Sequence, residues 1–144
     1  MTDILNVDRT GVVLEVGTGS GYHAAVAAAL AHQVYTIEII PGLAHSAADR
    51  LRQLGYTNIA VRVGDGYFGW EDATHFDGII VTEASGHIPP PLLQQLKAGG
   101  RMIIPVEPPF GQQHLTVVER SADGRVRTRQ LFPVGFVPLT GRHL

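Results

Sequence analysis

Glycines alternate with small hydroxyl residues in Glu15-Val16-Gly17-Thr18-Gly19-Ser20-Gly21, and an acid stands two residues ahead of the first glycine. Glycine permits positive φ and lets a ligand come close to the backbone. A pyrophosphate-binding turn spaces its glycines G-x-G-x-x-G and seats the phosphates on a helix N-terminus. Here the last position of that pattern is Tyr22 and the glycines run G-x-G-x-G, which points to a ligand that needs no phosphate cradle. Two more acids recur downstream: Glu38, 21 residues after Gly17, and Asp65 in Val63-Gly64-Asp65-Gly66. A carboxylate at position 38 can accept hydrogen bonds from both hydroxyls of a ribose. Asp65 could accept from an adenine amino group, with apolar neighbours flanking the ring. Glu15 would face the cationic part of such a ligand, because a carboxylate within a few ångströms favours positive charge.

These residues need strand tips to hold them. Val12 to Val16 is a short, nearly continuous apolar run, the pattern of a strand covered on both faces. The alanine-rich stretch from Tyr22 to Ala31 predicts a helix. Val34 to Ile37 is β-branched and aromatic and predicts a second strand. Pro41 to Leu54 opens with a proline suited to a first helical turn and stops before Gly55. Ile59 to Val63 and Asp77 to Val81 are the third and fourth strands. Gly66 to His75 between them reads as loop. Pro91 to Leu96, entered through Pro89-Pro90-Pro91, reads as a short helix closed by Gly99-Gly100. Arg101 to Ile104 is a fifth strand, ended by Pro105. Leu115 to Glu119 and Arg125 to Leu131 form a hairpin around Ser121-Ala122-Asp123-Gly124. Alternating strands and helices imply parallel units with right-handed crossovers, and the hairpin adds antiparallel strands at one edge. The expected fold is one α/β, Rossmann-like domain over residues 1–144, with a mostly parallel sheet flanked by helices.

An acid, then G-x-G-x-G, then acids after the second and third strands is the motif order of class I methyltransferases that use S-adenosylmethionine. From about Thr10 to Thr140 the chain also resembles the protein-L-isoaspartate O-methyltransferase family. The matching stretches are VLEVGTGSGYHAAV, VYTIEII, RVGDGYFGW, FDGIIVTEA, HIPPPLLQQLKAGGRMIIPV and FVPLTG. The resemblance implies carboxyl methylation of isoaspartyl residues in damaged proteins. It places cofactor contacts on Gly17, Thr18, Gly19, Ser20, Gly21, Glu38, Asp65, Gly66 and Thr140. Methyl transfer to an ionised carboxylate needs no strong general base, and no Ser-His-Asp arrangement stands out.

Two departures from the family pattern bear on activity. Family members carry a long segment before the first strand, with a serine or threonine beside the substrate carboxylate. Only Met1 to Gly11 precede that strand here, so no catalytic residue is assigned. On this ground a cofactor-binding module of reduced activity, or a methyltransferase of another peptide or small molecule, stands as the alternative. The same feature predicts exposed apolar surface and self-association into a homo-oligomer. The second departure is Glu83, where the family has a small residue. Pointing into the pocket it would repel a carboxylate substrate, but it reads more naturally as an exposed loop acid.

Composition removes other classes. A net charge of -2 gives no electrostatic case for nucleic acid or an anionic membrane. No apolar run reaches the roughly 20 residues of a membrane span. The absence of cysteine excludes disulfides, thiolate zinc sites and a cysteine nucleophile, and fits the cytoplasm. His23, His45, His87 and His114 show no compact ligand spacing, so no metal is expected. His87 lies nearest the site. Arg125, Arg127 and Arg129 share one strand face and read as a solvated edge that discourages sheet-to-sheet pairing. Tyr67, Phe68 and Trp70 either line an adenine or cap the core.

Overall fold

The computed structural model describes residues 2–72 and 75–141. Its elements are α1 (Thr2–Leu5), β1 (Val12–Val16), α2 (Tyr22–Leu30), β2 (Gln33–Glu38), α3 (Pro41–Gln53), β3 (Ile59–Val63), β4 (Phe76–Val81), α4 (Pro90–Gln95), β5 (Leu96–Val106), β6 (His114–Arg120) and β7 (Val126–Pro133). The seven strands form one sheet in the order β3-β2-β1-β4-β5-β6-β7. The pairings from β3 through β5 are parallel, and β6 and β7 add on antiparallel. The expected strands and helices are therefore present in the expected order. Strand order reverses at β1, whose neighbours are β2 and β4. In open α/β sheets that reversal opens a crevice beyond the strand tips, where ligands bind.

The apolar runs follow from burial on two faces. Successive strand residues point to opposite sides. Leu14 and Val16 join one core with Ile37, Phe76, Ile79, Leu92 and Met102, closed by α4 and the segment around Trp70. Val13 joins a second core with Val34, Ile80 and Ile103, covered by Ala24, Ala27 and Ala28 of α2 and Leu51 of α3. Alanines on α2 leave little between helix axis and sheet. Asn58 fastens that helix from the start of β3. Its Nδ2 donates to the carbonyls of Ala28 at 2.9 Å and Ala31 at 3.3 Å, groups a helix end leaves unsatisfied.

Two local readings need correction, and the segment before β1, left unassigned from sequence, gains a structure. Met1 to Gly11 includes α1, and Leu5 is buried against the sheet beside Val7, both lying over Gly78. Gly66 to Phe68 is a 3-10 turn within the stretch read as loop; positions 73 and 74 of that stretch lie outside the described residues. The fifth strand is much longer than Arg101 to Ile104, running through Gly99-Gly100 and Pro105. Proline is tolerated there because its nitrogen faces past the last β4 pairing. The Pro105 carbonyl, on the same side, accepts from Ser85 N–H at 3.0 Å, so no ladder donor is lost. Strand β7 lies at the sheet edge, and Arg125 to Gln130 are all exposed there, as the edge reading expected.

Candidate ligand-binding site

The loop leaving β1 sits at the strand-order reversal. Gly17 has φ of 96° and Gly19 a φ of 53°, both in the left-handed region. A side chain at 17 would run into Thr82 Oγ1 and come 2.9 Å from Glu83 Oε1. Above Gly19 a Cβ would meet none of the described residues within 4 Å. The first glycine is thus required for packing, whereas the second opens onto empty space.

Carboxylates converge on this loop from successive strand tips. Glu38, 5% exposed, accepts from Gly19 N–H at 3.0 Å through Oε1 and from Ile40 N–H at 3.1 Å through Oε2. Asp65 follows β3 and accepts from Tyr67 N–H at 3.0 Å, capping the 3-10 turn. Gly66 is buried against Val16, where a side chain would overlap. Glu15 lies within the sheet beneath the loop and is 1% exposed. Its Oε1 accepts from Thr36 Oγ1 at 2.7 Å, and Thr36 is 2.7 Å from Thr18 Oγ1. Thr36 spends its single proton on Glu15, so Thr18 is the donor to Thr36. Glu15 Oε2 has no hydrogen-bond partner among the described residues. Burial pushes the Glu15 carboxyl up to about 7, with the Glu38 charge acting the same way and the Thr36 hydrogen bond opposing.

The C-terminal tail closes the other side. Ala84 bridges Pro138, and this brings Thr140 to Glu83, whose carboxylate accepts from the Thr140 N–H. Gly141 then lies against the Asp65 carboxylate. Of the residues read from sequence, Gly17, Thr18, Gly19, Glu38, Asp65 and Gly66 come together, with Thr140 reaching them from the tail. Gly21 starts α2 with φ of 91° and packs on Leu51. Ser20 is exposed, and its carbonyl accepts from Arg50 Nη1 at 2.7 Å.

Glu83 corrects the sequence reading. It is half-buried with its carboxylate over Gly17, not out in solvent. Burial raises its pKa to about 7, and the Glu38 and Asp65 charges add to that shift. The sequence reading also missed Thr36 and Thr82. A threonine in the middle of a buried strand is the signal for the first. Thr82 Oγ1 lies 3.0 Å from both the Val16 and Gly17 carbonyls, shares its one proton between them and pins the loop.

The aromatic residues divide. Trp70 caps the core, buried edge-on to Tyr35 at 4.9 Å with the Arg62 guanidinium 4.1 Å above its ring. Phe68 lines a hollow of about 960 Å3 with Ile37, Ile39 and Asp65. Tyr67 Oη lies 3.0 Å from His87 Nε2. A separate, mostly apolar groove of about 660 Å3 runs between α2 and α3, past Tyr22, Val26 and Leu54. The acids converge on the loop and the first hollow, so the chemistry belongs there. Among the described residues no group of three or more acids, histidines or cysteines could hold a metal ion. Among the same residues no helix is long and apolar enough to cross a membrane.

A family model described as protein-L-isoaspartate(D-aspartate) O-methyltransferase matches residues 1–144. The chain belongs to this family. It is 62% identical over 143 residues to protein-L-isoaspartate O-methyltransferase 2 of Syntrophobacter fumaroxidans, covering 99% of this chain and 58% of that protein. It is 60% identical over 142 residues to the namesake from a Polaromonas species, covering 99% of this chain and 67% of that protein. The chain thus spans little more than half the length of several such relatives. A solved protein-L-isoaspartate O-methyltransferase superposes with a TM-score of 0.89 at 27% identity, over 97% of this chain and 45% of that one. The putative enzyme from Plasmodium falciparum, solved with S-adenosyl-L-homocysteine, gives a TM-score of 0.77 at 24% identity, over 92% of this chain and 67% of that one. The fold is that of class I methyltransferases, as the glycine spacing implied.

Proposed function

We propose that this member of the isoaspartyl methyltransferase family binds S-adenosylmethionine over Gly17–Gly21 and uses it to methylate the carboxyl of isoaspartyl residues in damaged proteins. The observation that carries the reading is the Glu38 carboxylate beside Gly19, at the strand-order reversal, with Asp65 on the next tip. The residues fit the ligand in three ways. Among the described residues the space above Gly19 is open, which admits a ligand against the backbone. Glu15 keeps a buried oxygen with no hydrogen-bond partner among the described residues under the loop, where a nearby cation would offset its burial. Glu38, Glu83 and Asp65 add negative charge around the same point, suited to a cationic donor and not to a pyrophosphate.

On this reading Glu38 takes the ribose hydroxyls, and Asp65 with Gly66 takes the adenine edge, with Ile39 and Phe68 as apolar walls. Thr18, Ser20 and Gly21 shape the loop, and Thr140 closes over it. The donor supplies an electrophilic methyl on a sulfonium. The substrate carboxylate is already ionised near neutral pH, so what the protein supplies is alignment. No general base is assigned. The residues 1–144 act as one domain in the cytoplasm, in keeping with the lack of cysteine, and the net charge of -2 supports no nucleic-acid role.

Titration calorimetry with S-adenosylhomocysteine and transfer of labelled methyl to an isoaspartyl peptide test the two halves. Heat on binding and label on the peptide are the expected results. No heat at millimolar ligand refutes the cofactor site. Binding without transfer refutes the activity and leaves a cofactor-binding module. Exposed Tyr22 and Leu30 on α2 and Leu54 just after α3 support self-association. Sedimentation at high concentration should show a species heavier than the monomer, and a strictly monomeric profile rules this out.

A further inference from the structure

Thr82 and Glu83 leave the tip of β4 directly beside the glycine loop. The Thr82 side chain is committed to the Val16 and Gly17 carbonyls. The Glu83 carboxylate is laid over Gly17 and held by the Thr140 N–H. Charged groups act on it from two tips beyond β1, Glu38 at the end of β2 and Asp65 after β3. Glu38 in turn bears on Glu15 below the loop. Neither Glu38 nor Glu83 takes part in an ion pair among the described residues.

The acids around the loop are not equivalent. Both oxygens of Glu38 are engaged by backbone N–H groups. Asp65 caps the turn that follows it. Glu15 is sealed beneath the loop. Glu83 is the acid that reaches the glycine loop from the β4 side, laid over Gly17 and held there by the Thr140 N–H. Its carboxyl is raised to about 7, first by burial and then by the Glu38 and Asp65 charges. A neighbouring positive charge relieves both effects by favouring the ionised form.

Resting on the reading that Gly17–Gly21 bind S-adenosylmethionine, we propose that Glu83 senses the charge of the bound ligand and favours the sulfonium donor over its uncharged product. In the transfer, a substrate carboxylate oxygen forms a bond to the methyl carbon and the sulfur–methyl bond breaks. Its electron pair stays on sulfur, so the sulfonium becomes a neutral thioether and no proton moves. The cation that balanced Glu83 disappears in that step. Like-charge repulsion with Glu38 and Asp65 then returns, and Glu83 no longer contributes to holding the ligand. The residue therefore sets selectivity and product release, and is not a group that reacts.

Calorimetry on the full chain with S-adenosylmethionine and S-adenosylhomocysteine tests this in wild type and Glu83→Gln. Glutamine keeps an acceptor for the Thr140 N–H and removes only the charge. The affinity for donor relative to product should fall about tenfold at pH 8 in the variant, the effect of one nearby charge in partly screened surroundings. Product affinity should stay within about threefold of wild type. A merely structural role would weaken both ligands together and leave the ratio in place. An unchanged ratio, with wild type binding both ligands, overturns the proposal. So does an unchanged ratio with a lowered KM for isoaspartyl peptide, which assigns Glu83 to repelling the substrate carboxylate. If wild type binds neither ligand, the underlying reading of the loop fails first and takes the proposal with it.

Discussion

Gly19→Val should abolish measurable binding of S-adenosylhomocysteine, weakening it by at least about 100-fold, while the domain stays folded. A Cβ at this position meets none of the described residues within 4 Å, so a valine's branches would project into the space where the ligand would approach the backbone. Overfilling a fitted site costs roughly 1–3 kcal/mol even inside a protein core that can adjust. A ligand pressed against backbone has fewer ways to give, and about 2.7 kcal/mol is already 100-fold. The φ of 53° adds a strain of roughly 1–2 kcal/mol for a residue with a Cβ, which lowers stability without abolishing it. Gly17→Ala serves as the contrast. Its methyl would collide with Thr82 and Glu83, so the damage falls on the fold and lowers the unfolding midpoint. Calorimetry beside urea unfolding separates the two outcomes. If Gly19→Val binds the ligand like wild type, the site is not over this loop.

Glu15→Gln should flatten the pH dependence of stability and make the ligand-free protein more stable than wild type at pH 8. The Glu15 carboxyl is raised from 4.5 to about 7 in the folded chain, mainly by burial. Between those values the folded state holds a proton that the unfolded state has released. Stability therefore falls as pH climbs from about 4.5 to about 7 and levels off above that. The loss from this one buried group is on the order of 3 kcal/mol. Glutamine stays neutral, keeps the oxygen that accepts from Thr36 and carries no such loss. Urea midpoints at pH 5 and pH 8 should differ less in the variant than in wild type. Parallel shifts in the two proteins would show that Glu15 does not titrate in this range. A saturating cationic ligand should also reduce the wild-type slope, because the positive charge favours the ionised form.

Much of this was legible before any fold was seen. Strand and helix periodicity is local, so β1 and β3 fall where the apolar runs placed them, and the other strands and helices lie close by. In a parallel sheet the carboxyl ends of the strands share one edge, so an acid read at the end of one strand lies near an acid at the end of the next. Glu38 and Asp65 could therefore be assigned to one site from their positions relative to strand ends alone. Pro105 misled because a proline normally stops a ladder. It ended nothing here, since its nitrogen faces beyond the last β4 pairing, a matter of register that no window of sequence contains.

What the amino-acid order settled by itself was the alternation of elements, the glycine loop and the acids at the strand tips, all consequences of short-range pattern. What only the tertiary structure decided was which side chains meet across long separations. Glu83 lies over Gly17, the tail brings Thr140 to Glu83 and Gly141 to Asp65, and Trp70 turns inward to Tyr35 and Arg62. Those contacts depend on how layers pack and how a distant segment returns over the sheet. The burial that raises the Glu15 and Glu83 carboxyls comes from the same packing, because a charge loses its water only when the whole chain closes around it.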